Sequence, residues 1–451
     1  MYIIIVGQGK LGSTLTAQLA KEGHDIVAID IKSSVITNIV DTYDVMGICG
    51  NGATVEILEE AGAKKAKLLI AATASDELNI LCCTFAKNLG TVHTIARVRN
   101  PDYSKQRDFL MKKIGINTIV NPEFETANEI ARIIRFPSAA SVDSFSSGRL
   151  EIAKIVIPEG NPLHNMPVFE VRKKFKQKVL ICAVQRQNSV TIPSGDFVLQ
   201  QKDSISITGS RNEITAFMRA IGIYKKKIRN VMIVGGGRIG LYLAKLLSET
   251  DRNIKLIDSD EERCHQLTSA LSDVTVICGD GTDQNLLDEL NLANQDALVA
   301  LTGIDEENII VSLYAYSKYL NKVITKVDRH SYSILTDLGL ETVISPQLIA
   351  SSIVTRDVRA LQNSADKSEI HALYKLVGGN VEAIEFSVPY DASYENIPFK
   401  QLEILPDLLI VAIIRNGKII FPDGDTAMVG GDRVIVVTAG RILDDLHDIF
   451  A

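Results

Sequence analysis

Two glycine-rich segments of the chain have the spacing that holds a phosphate against main-chain amides. In the first segment, Gly7, Gly9 and Gly12 follow an apolar run. Gly7 permits a tight turn, Gly9 lets the backbone approach a pyrophosphate because it has no Cβ, and Gly12 lets a helix pack against the preceding strand. The start of that helix offers free N–H groups and a partial positive charge. The segment therefore predicts a nucleotide- or dinucleotide-binding loop.

An acidic residue follows this loop at the end of the next apolar run. The carboxylate of Asp30 can accept hydrogen bonds from two ribose hydroxyls, and it would repel a 2′-phosphate. The sequence thus favours NAD or an adenine nucleotide over NADP. The alternative is a Rossmann fold that has lost its ligand.

The same arrangement occurs a second time in the chain. Residues 231–240 read VMIVGGGRIG where residues 3–12 read IIIVGQGKLG, and Asp258 takes the place of Asp30. Further matches are CGNG at 49–52 with CGDG at 278–281, IPSGD at 192–196 with FPDGD at 421–425, and Asp203 with Asp432. Matches that recur along both halves indicate an internal duplication.

The duplicated unit alternates short apolar runs with helical patterns. In the first copy we expect strands at 2–6, 25–29, 45–48, 67–71, 92–98 and 117–120, and helices at 10–21, 53–61, 76–89 and 122–135. Apolar strands without polar alternation, joined by helices, predict a parallel sheet covered on both faces. Each half continues with alternating strands, Gly-Asp turns and a short terminal helix, which we expect at 211–220 and at 441–450.

The predicted fold class is therefore α/β, with two tandem Rossmann-like, doubly wound domains that are each followed by a small α+β module. We expect the Rossmann domains at 1–135 and 228–361 and the small modules at 142–224 and 368–451. The lysines at 225–227 link the halves, either as a solvated linker or as a contact for an acidic or lipid surface.

Ligands of open α/β sheets bind at the carboxyl ends of the strands, where both halves carry further polar residues. Thr73 and Thr302 follow the fourth strand and can contact phosphate or ribose; the alternative is a turn at the strand end. Arg97 and Lys326 end the fifth strand and can meet a phosphate; the alternative is an ion pair with a neighbouring acid.

The two copies differ at these strand ends. Lysine keeps the charge of arginine but lacks its bidentate geometry, so Lys326 in place of Arg97 indicates that the two sites prefer different ligands. Glu123 corresponds to Gln347, and this loss of charge indicates the same divergence.

Tandem Rossmann units, each followed by a module with the I/F-P-x-G-D turn, resemble the regulator-of-potassium-conductance family over nearly the full length. The resemblance implies NAD(H) and ATP or ADP as ligands. It implies a homo-oligomer, a dimer or a tetramer ring, that docks on a membrane-embedded potassium pore subunit at the inner face of the cell inner membrane. It also implies a regulatory subunit that gates this pore by a conformational change and is not an enzyme.

The resemblance also assigns residues to the two sites. Together with the positions chosen above, the first site comprises Gly7, Gln8, Gly9, Lys10, Leu11, Gly12, Asp30, Asn51, Thr73, Ala74, Arg97 and Glu123. The second comprises Gly235, Gly236, Gly237, Arg238, Ile239, Gly240, Asp258, Asp280, Thr302, Gly303 and Lys326. The family often has Gly-Asp after the third strand; the second copy keeps it, whereas the first copy has Gly50-Asn51.

Composition argues against several other classes of protein. The formal net charge of −7 argues against a nucleic-acid binder. The six cysteines form no CxxC pair and the seven histidines no HxxxH spacing, so we expect neither a metal site nor a disulfide framework. The chain has no signal-peptide pattern and no apolar run of about 18 residues, so we expect a cytosolic protein.

An NAD-dependent oxidoreductase is the alternative function, because dehydrogenases also carry a Rossmann fingerprint. Such an enzyme would need a general acid or base. His164 is the best lone candidate, but the matching stretch 389–399 has no histidine. Cys82 and Cys83 lie in an apolar helical run, which is typical of core packing. Duplication of both parts favours a non-catalytic nucleotide sensor.

Overall fold

The computed structural model describes residues 1–135, 139, 141–145, 150–187, 189–224, 227–328, 335, 338–340, 342–362, 368, 370–376 and 381–450. The predicted basic linker at Lys225 and Lys226 lies outside these residues.

The first half begins with a parallel sheet whose strands, among the described residues, follow the order β3-β2-β1-β4-β5-β6. Its strands are β1 (Tyr2–Val6), β2 (Asp25–Asp30), β3 (Met46–Cys49), β4 (Leu68–Ala71), β5 (His93–Arg97) and β6 (Thr118–Val120). The helices are α1 (Lys10–Lys21), α2 (Ser33–Thr42), α3 (Val55–Glu60), α4 (Asp76–Leu89), α5 (Pro101–Ser104), α6 (Arg107–Phe109) and α7 (Pro122–Arg135), with a π-helical turn at Leu110–Ile114. This strand order is that of a Rossmann fold, and the predicted strands and helices are confirmed to within two residues.

The small module of the first half is an antiparallel sheet in the order β10-β9-β11-β8-β7. Its elements are β7 (Ser141–Phe145), β8 (Leu150–Val156), α8 (Val168–Phe175), β9 (Leu180–Arg186), β10 (Ser189–Thr191), β11 (Ser204–Gly209) and α9 (Arg211–Ala220). Ile214 and Phe217 of α9 pack on Ile205 and Ile207 of β11 in one apolar cluster.

The second half repeats both sheets. Its parallel sheet has the order β14-β13-β12-β15-β16-β17 and its antiparallel sheet the order β18-β19-β22-β20-β21. The elements of the parallel part are β12 (Asn230–Val234), α10 (Arg238–Ser248), β13 (Asn253–Asp258), α11 (Glu261–Ala270), β14 (Val274–Cys278), α12 (Gln284–Glu289), β15 (Ala297–Ala300), α13 (Asp305–Ser317), β16 (Lys322–Lys326), β17 (Val343–Ile344) and α14 (Pro346–Gln362), with a 3₁₀ turn at Leu292–Asn294. The elements of the antiparallel part are β18 (Ile370–Leu376), β19 (Val381–Ser387), β20 (Leu408–Arg415), β21 (Lys418–Ile420) and β22 (Arg433–Ala439), with 3₁₀ turns at Phe399–Gln401 and Leu446–Ile449. The predicted α/β fold class is thus confirmed.

The helix predicted at 441–450 is wrong. The structure has only the 3₁₀ turn Leu446–Ile449 in this segment. Asp445 has an extended backbone, and its buried carboxylate accepts the N–H groups of His447 at 2.7 Å and Ser368 at 2.8 Å. Asp445 caps this turn, so no helix runs through it, whereas the cap of α9 in the first copy, Ser210, is followed by a helix of ten residues.

The chain forms two compact units. The first comprises Met1–Thr126 and Ser345–Val358, and the second comprises Ala127–Ile344 and Arg359–Ala451. Most of α14 therefore belongs to the unit of the first parallel sheet, where the Gln18 side-chain amide donates to the hydroxyl of Thr355. Within the second unit, the two small sheets share an apolar cluster. None of the helices in the described residues is long and apolar enough to cross a bilayer.

Candidate nucleotide sites

The first glycine loop folds as a tight turn between β1 and α1. Gly7 has φ of +88°, and its N–H donates to the Ile29 carbonyl at 2.8 Å. A Cβ on Gly7 would lie 2.8 Å from the Cα of Thr73, and a Cβ on Gly12 would lie 1.8 Å from the carbonyl oxygen of Gly7. Both positions therefore require glycine, Gly7 for the turn and Gly12 for the close approach of the helix to the loop.

The start of α1 is open on the side where a ligand would approach. Gly9 is exposed, and a Cβ placed on it would meet no protein atom within 4 Å. No side chain caps the helix at Gly9. An uncapped helix start with free space over its glycine is the cradle that a phosphate group fits, because helix N–H groups point at the anion.

Asp30 lies beside this cradle with its carboxylate fixed by the main chain. Oδ2 accepts the N–H of Gln8 at 2.7 Å, and Oδ1 accepts the N–H of Lys32 at 3.0 Å. A carboxylate has about four acceptor positions, so each oxygen retains capacity for a ribose hydroxyl. The Asp30 carboxylate is thus oriented before any ligand arrives.

Two predicted site residues can contribute only their main chain. The side chain of Gln8 is buried: Nε2 donates to the Ile5 carbonyl at 3.1 Å, and Oε1 accepts the Thr16 hydroxyl at 2.9 Å. Leu11 is also buried in the core, whereas Lys10 is exposed. Gln8 and Leu11 therefore offer a ligand only main-chain groups, whereas the side chains of Lys10 and Asp30 remain accessible.

A buried asparagine that the predicted site lacks connects the ends of β4 and β5. Oδ1 of Asn79 accepts the N–H of Thr73 at 2.8 Å and its hydroxyl at 2.7 Å, while Nδ2 donates to the Arg97 carbonyl at 2.9 Å. The Thr73 hydroxyl thus makes the strand-end turn that the sequence left as the alternative. The available signal was the repeat, since Asn79 recurs as Asn308.

A carboxylate positions the neighbouring loop. Asp76 is buried at the start of α4, and its Oδ2 accepts the N–H groups of Arg99 at 2.8 Å and Asn100 at 2.7 Å. The guanidinium of Arg99 in turn donates to the Ala74 carbonyl. Asp76 therefore ties the loop after β5 to the loop after β4 and holds Ala74 at the crevice.

Arg97 and Glu123 form an ion pair. Nη2 of Arg97 lies 3.6 Å from Oε1 of Glu123, and both side chains are partly buried. The structure thus brings together two predicted site residues, and the acid balances the cation at the end of β5.

The second crevice repeats the loop geometry. Gly235 has φ of +106°, and a Cβ on Gly240 would lie 2.2 Å from the carbonyl oxygen of Gly235. The Asp258 carboxylate accepts the N–H of Gly236 at 2.7 Å. A Cβ on Gly237 would meet no protein atom within 4 Å, and no side chain caps α10 there. Arg238 is exposed, like Lys10 in the first loop, and Ile239 is buried, like Leu11.

The strand ends of the second crevice carry a different cation arrangement. Oδ1 of Asn308 accepts the N–H of Thr302 at 2.8 Å, and its Nδ2 donates to the Lys326 carbonyl at 3.1 Å. Nζ of Lys326 donates to the Thr302 carbonyl at 3.0 Å and lies 3.8 Å from Oδ2 of Asp328. Gly303, which follows Thr302 in the chain, has no protein atom within 4 Å of the place where a Cβ would be.

The residues after the third strands make local turns. Oδ1 of Asn51 accepts the N–H of Ala53 at 3.0 Å. Oδ1 of Asp280 accepts the hydroxyl of Thr282 at 2.7 Å and its N–H at 2.9 Å, and these bonds lower the pKa of Asp280. The side chain therefore differs in charge between the copies but has the same turn-forming role.

The candidate enzymatic residues have structural partners. Nδ1 of His164 accepts the N–H of Gln201 at 3.1 Å in the first small module. Cys82 and Cys83 are buried, and burial raises the pKa of the Cys82 thiol to about 12. The described residues contain no group of three or more His, Cys, Asp or Glu side chains that could hold a metal ion.

Comparisons with known proteins cover the whole chain. Residues 3–122 and 231–346 match the TrkA-N domain, and residues 152–222 and 383–451 match the TrkA-C domain. A Trk system potassium uptake protein TrkA homolog from Archaeoglobus fulgidus is 30% identical over 452 residues, which is 100% of both chains. The Trk system potassium uptake protein TrkA of Vibrio alginolyticus is 30% identical over 459 residues, with 100% of this chain and 98% of that protein covered.

Among solved structures, the GsuK channel bound to NAD has a similar fold. Its TM-score is 0.62 at 19% identity, with 97% of this chain and 77% of that chain covered. The domain matches, in the order TrkA-N, TrkA-C, TrkA-N, TrkA-C, coincide with the duplication seen in both sequence and sheets. The chain therefore belongs to the family of Trk system potassium uptake proteins TrkA, with both domains in tandem.

Proposed function

We propose that this chain is the nucleotide-sensing regulatory subunit of a potassium uptake system. The observation that carries the proposal is the pair of uncapped helix starts at Gly9 and Gly237, each beside a carboxylate that main-chain amides hold in place. The names of the family members that match the full chain supply the transport context.

The ligands we propose are NAD(H) and adenine nucleotides, ATP or ADP. Helix-start amides suit a diphosphate, and Asp30 and Asp258 retain acceptor capacity for ribose hydroxyls. A structural relative, the GsuK channel, has been solved bound to NAD, which is consistent with this choice. When bound, the nucleotide acts through its charge and shape, which the residues of the crevice contact, and it is not chemically converted.

The residues we propose at each site have different roles. The main chain of Gly7 to Gly12 and of Gly235 to Gly240 holds the diphosphate. Asp30 and Asp258 hold the ribose. The strand-end residues, which contact the ligand or position those that do, are Asn51, Thr73, Ala74, Arg97 and Glu123 in the first site and Asp280, Thr302, Gly303 and Lys326 in the second.

We further propose four domains, at 1–135, 142–224, 228–361 and 368–451. A ring of several copies would dock on a membrane-embedded potassium pore subunit and so lie peripherally at the inner face of the cell inner membrane. Gating requires that the nucleotide bind one arrangement of the ring more tightly than the other, by about 1–3 kcal/mol. A ligand with equal affinity for both arrangements would not move the pore.

Calorimetric titration with NADH, ADP and ATP tests the binding claim. We expect saturable binding to the intact chain, weakened at one crevice by Asp30→Asn and at the other by Asp258→Asn. Asp25→Asn is the matched control, because Asp25 is exposed at the opposite end of the same strand, β2. Titrations that show no binding of any of the three nucleotides would overturn the proposal.

Two further measurements separate a sensor from an oxidoreductase. The first is a pull-down from membranes with this chain as bait. If it recovers a multi-span potassium pore protein, and the amount recovered changes when nucleotide is added, the result supports the sensor. Steady consumption of excess NADH with a candidate substrate would instead establish the enzyme.

A further inference from the structure

The second crevice contains two cysteines at one strand end, beside the carboxylate that we assign to the ribose. Cys264 is buried on α11, and Cys278 is exposed at the end of β14. Sγ of Cys264 lies 3.3 Å from the carbonyl oxygen of Asp258 and 3.8 Å from that of Ile277, the residue before Cys278. Asp258 is also the residue opposite Cys278 in the parallel sheet, so both thiols converge on one strand end.

Cys264 thus contacts both the residue directly before Cys278 and the residue paired with Cys278, which makes the two side chains neighbours. A disulfide between them requires the two sulfurs to reach an S–S bond of about 2 Å. One partner is open to solvent and the other is not. An exposed attacking thiol beside a buried resolving thiol is the arrangement typical of redox-sensitive pairs, which in a reducing compartment are transient.

The helix that carries Cys264 also abuts the glycine loop. Nε of Arg263 donates to the carbonyl oxygen of Gly236 at 2.8 Å. A Cβ on Gly236 would lie 2.4 Å from Cδ1 of Leu267, one turn further along α11. A displacement of α11 towards β14 would therefore move the loop that lies over the helix start.

The first crevice provides an internal contrast. Cys49 occupies the position of Cys278, but the position of Cys264 is held by Ile36, which is buried. Val35 stands in place of Arg263. The first crevice thus has a single thiol and no side-chain hydrogen bond from this helix to the loop within the described residues.

We propose that Cys264 and Cys278 are a redox-active pair whose disulfide lowers nucleotide affinity at the second crevice. This inference rests on the proposed function only for its effect on the nucleotide; the disulfide itself does not depend on it.

The oxidant we name is a low-molecular-weight disulfide. The Cys278 thiol loses its proton, and its sulfur attacks one sulfur of the oxidant, which releases one small thiolate. Cys264 then loses its proton and attacks the Cys278 sulfur of the mixed disulfide, which releases the second small thiolate. In total, two protein thiols lose two electrons and two protons, and the oxidant becomes two thiols.

Burial raises the pKa of the Cys264 thiol to about 11. Cys264 therefore stays protonated near neutrality, and we expect the second step to limit the rate and to accelerate as the pH rises.

The test begins with the reduced full-length chain and oxidised glutathione. Peptide mapping without reductant should identify a Cys264–Cys278 cross-linked peptide that disappears on addition of dithiothreitol. The variant Cys278→Ser should abolish it, and Cys49→Ser should not. A map in which both thiols stay free, or in which glutathione remains on Cys278, would overturn the pair.

The second arm measures ADP affinity with the first crevice weakened by Asp30→Asn. We expect oxidation to reduce affinity about tenfold, an ordinary size for coupling between linked events. We also expect Cys278→Ser to remove the effect of oxidation. Unchanged affinity in a protein with a mapped disulfide would overturn the coupling.

The two failures are distinguishable. If the reduced chain binds ADP but forms no disulfide, the inference fails and the proposed function stands. If the disulfide forms but the reduced chain binds no nucleotide at all, the proposed function fails, and the coupling fails with it. In that case only the redox pair is retained.

Discussion

The two glycine loops share their main-chain geometry, but the cations at the strand ends behind them are paired differently. In the first crevice, Arg97 faces a carboxylate, Glu123, at 3.6 Å. In the second, the lysine donates to the Thr302 carbonyl at 3.0 Å and has Asp328 at 3.8 Å. The duplicated fold thus keeps the loop geometry and changes the identity and the partners of the cation at the end of the fifth strand.

The largest expected effect comes from the glycines that both crevices share. We expect Gly12→Ala to abolish nucleotide binding at the first site and to destabilise the fold by about 1–3 kcal/mol, because its Cβ would lie 1.8 Å from the Gly7 carbonyl oxygen. Gly9→Ala should abolish binding with little loss of stability, because its Cβ meets no protein atom within 4 Å.

Calorimetry and thermal unfolding of both glycine variants provide the check. Equal losses of stability in Gly9→Ala and Gly12→Ala would contradict the distinction between the open cradle and the packed helix.

The next effect concerns the two carboxylates. We expect Asp30→Asn and Asp258→Asn each to weaken nucleotide binding at its own crevice by about 1.5–3 kcal/mol, the usual value of a hydrogen bond to a charged group. Titration of each variant measures this loss. A variant that weakens only the opposite crevice would contradict the assignment of each carboxylate to its own ribose.

A smaller effect should follow when Glu123 is changed to glutamine, the residue that the second copy has at this position as Gln347. In Glu123→Gln, the charge of Arg97 is no longer balanced by this acid, so ATP should bind more tightly relative to NADH by about 1 kcal/mol. Arg97→Lys is the matched variant that changes the cation and keeps the acid. If Glu123→Gln leaves the ratio of ATP to NADH affinities unchanged, the ion pair does not set ligand preference.

The smallest effect is a pH dependence that the second copy has and the first lacks. Hydrogen bonds from Thr282 lower the pKa of Asp280 in the folded protein, so its contribution to stability is present above the ordinary aspartate pKa of about 3.9. That contribution is lost as the pH falls through the lower folded pKa.

Tm of the wild type and of Asp280→Asn, measured between neutral and acidic pH, should therefore converge as the pH falls. Asn51→Ala, at the position of Asp280 in the first copy, should differ from the wild type by the same amount at every pH. A difference between wild type and Asp280→Asn that grows in acid would reverse the sign and contradict this assignment.

The apolar runs and glycine spacing were sufficient to predict the parallel sheets, because short β-branched runs between helical patterns are typical of parallel strands buried on both faces. The site was harder to predict in detail. Gln8 belongs to the loop, yet its side chain is directed into the core, because its amide donates to the Ile5 carbonyl and accepts the Thr16 hydroxyl. Spacing identifies a main-chain position but gives no side-chain direction.

Long-range partners account for the remaining differences. Asn79 connects two strand ends that are distant in sequence, and only its recurrence as Asn308 marked it beforehand. The wrong prediction of a helix at 441–450 also results from a long-range partner. Asp445 accepts the N–H of Ser368, which is distant in sequence and cannot be inferred from the residues around Asp445.

The assignment of Ser345–Val358 to the compact unit of residues 1–126 has a consequence for how this gene could have been built or could be divided. A stop codon after the first duplicate would produce a polypeptide that lacks the helix carrying Thr355, the hydroxyl to which Gln18 donates. A single-copy chain with this arrangement would need the matching helix from another polypeptide, whereas in this chain the second half supplies it. Expression of the first duplicate together with a separately encoded second duplicate should therefore restore a folded product that neither half gives alone.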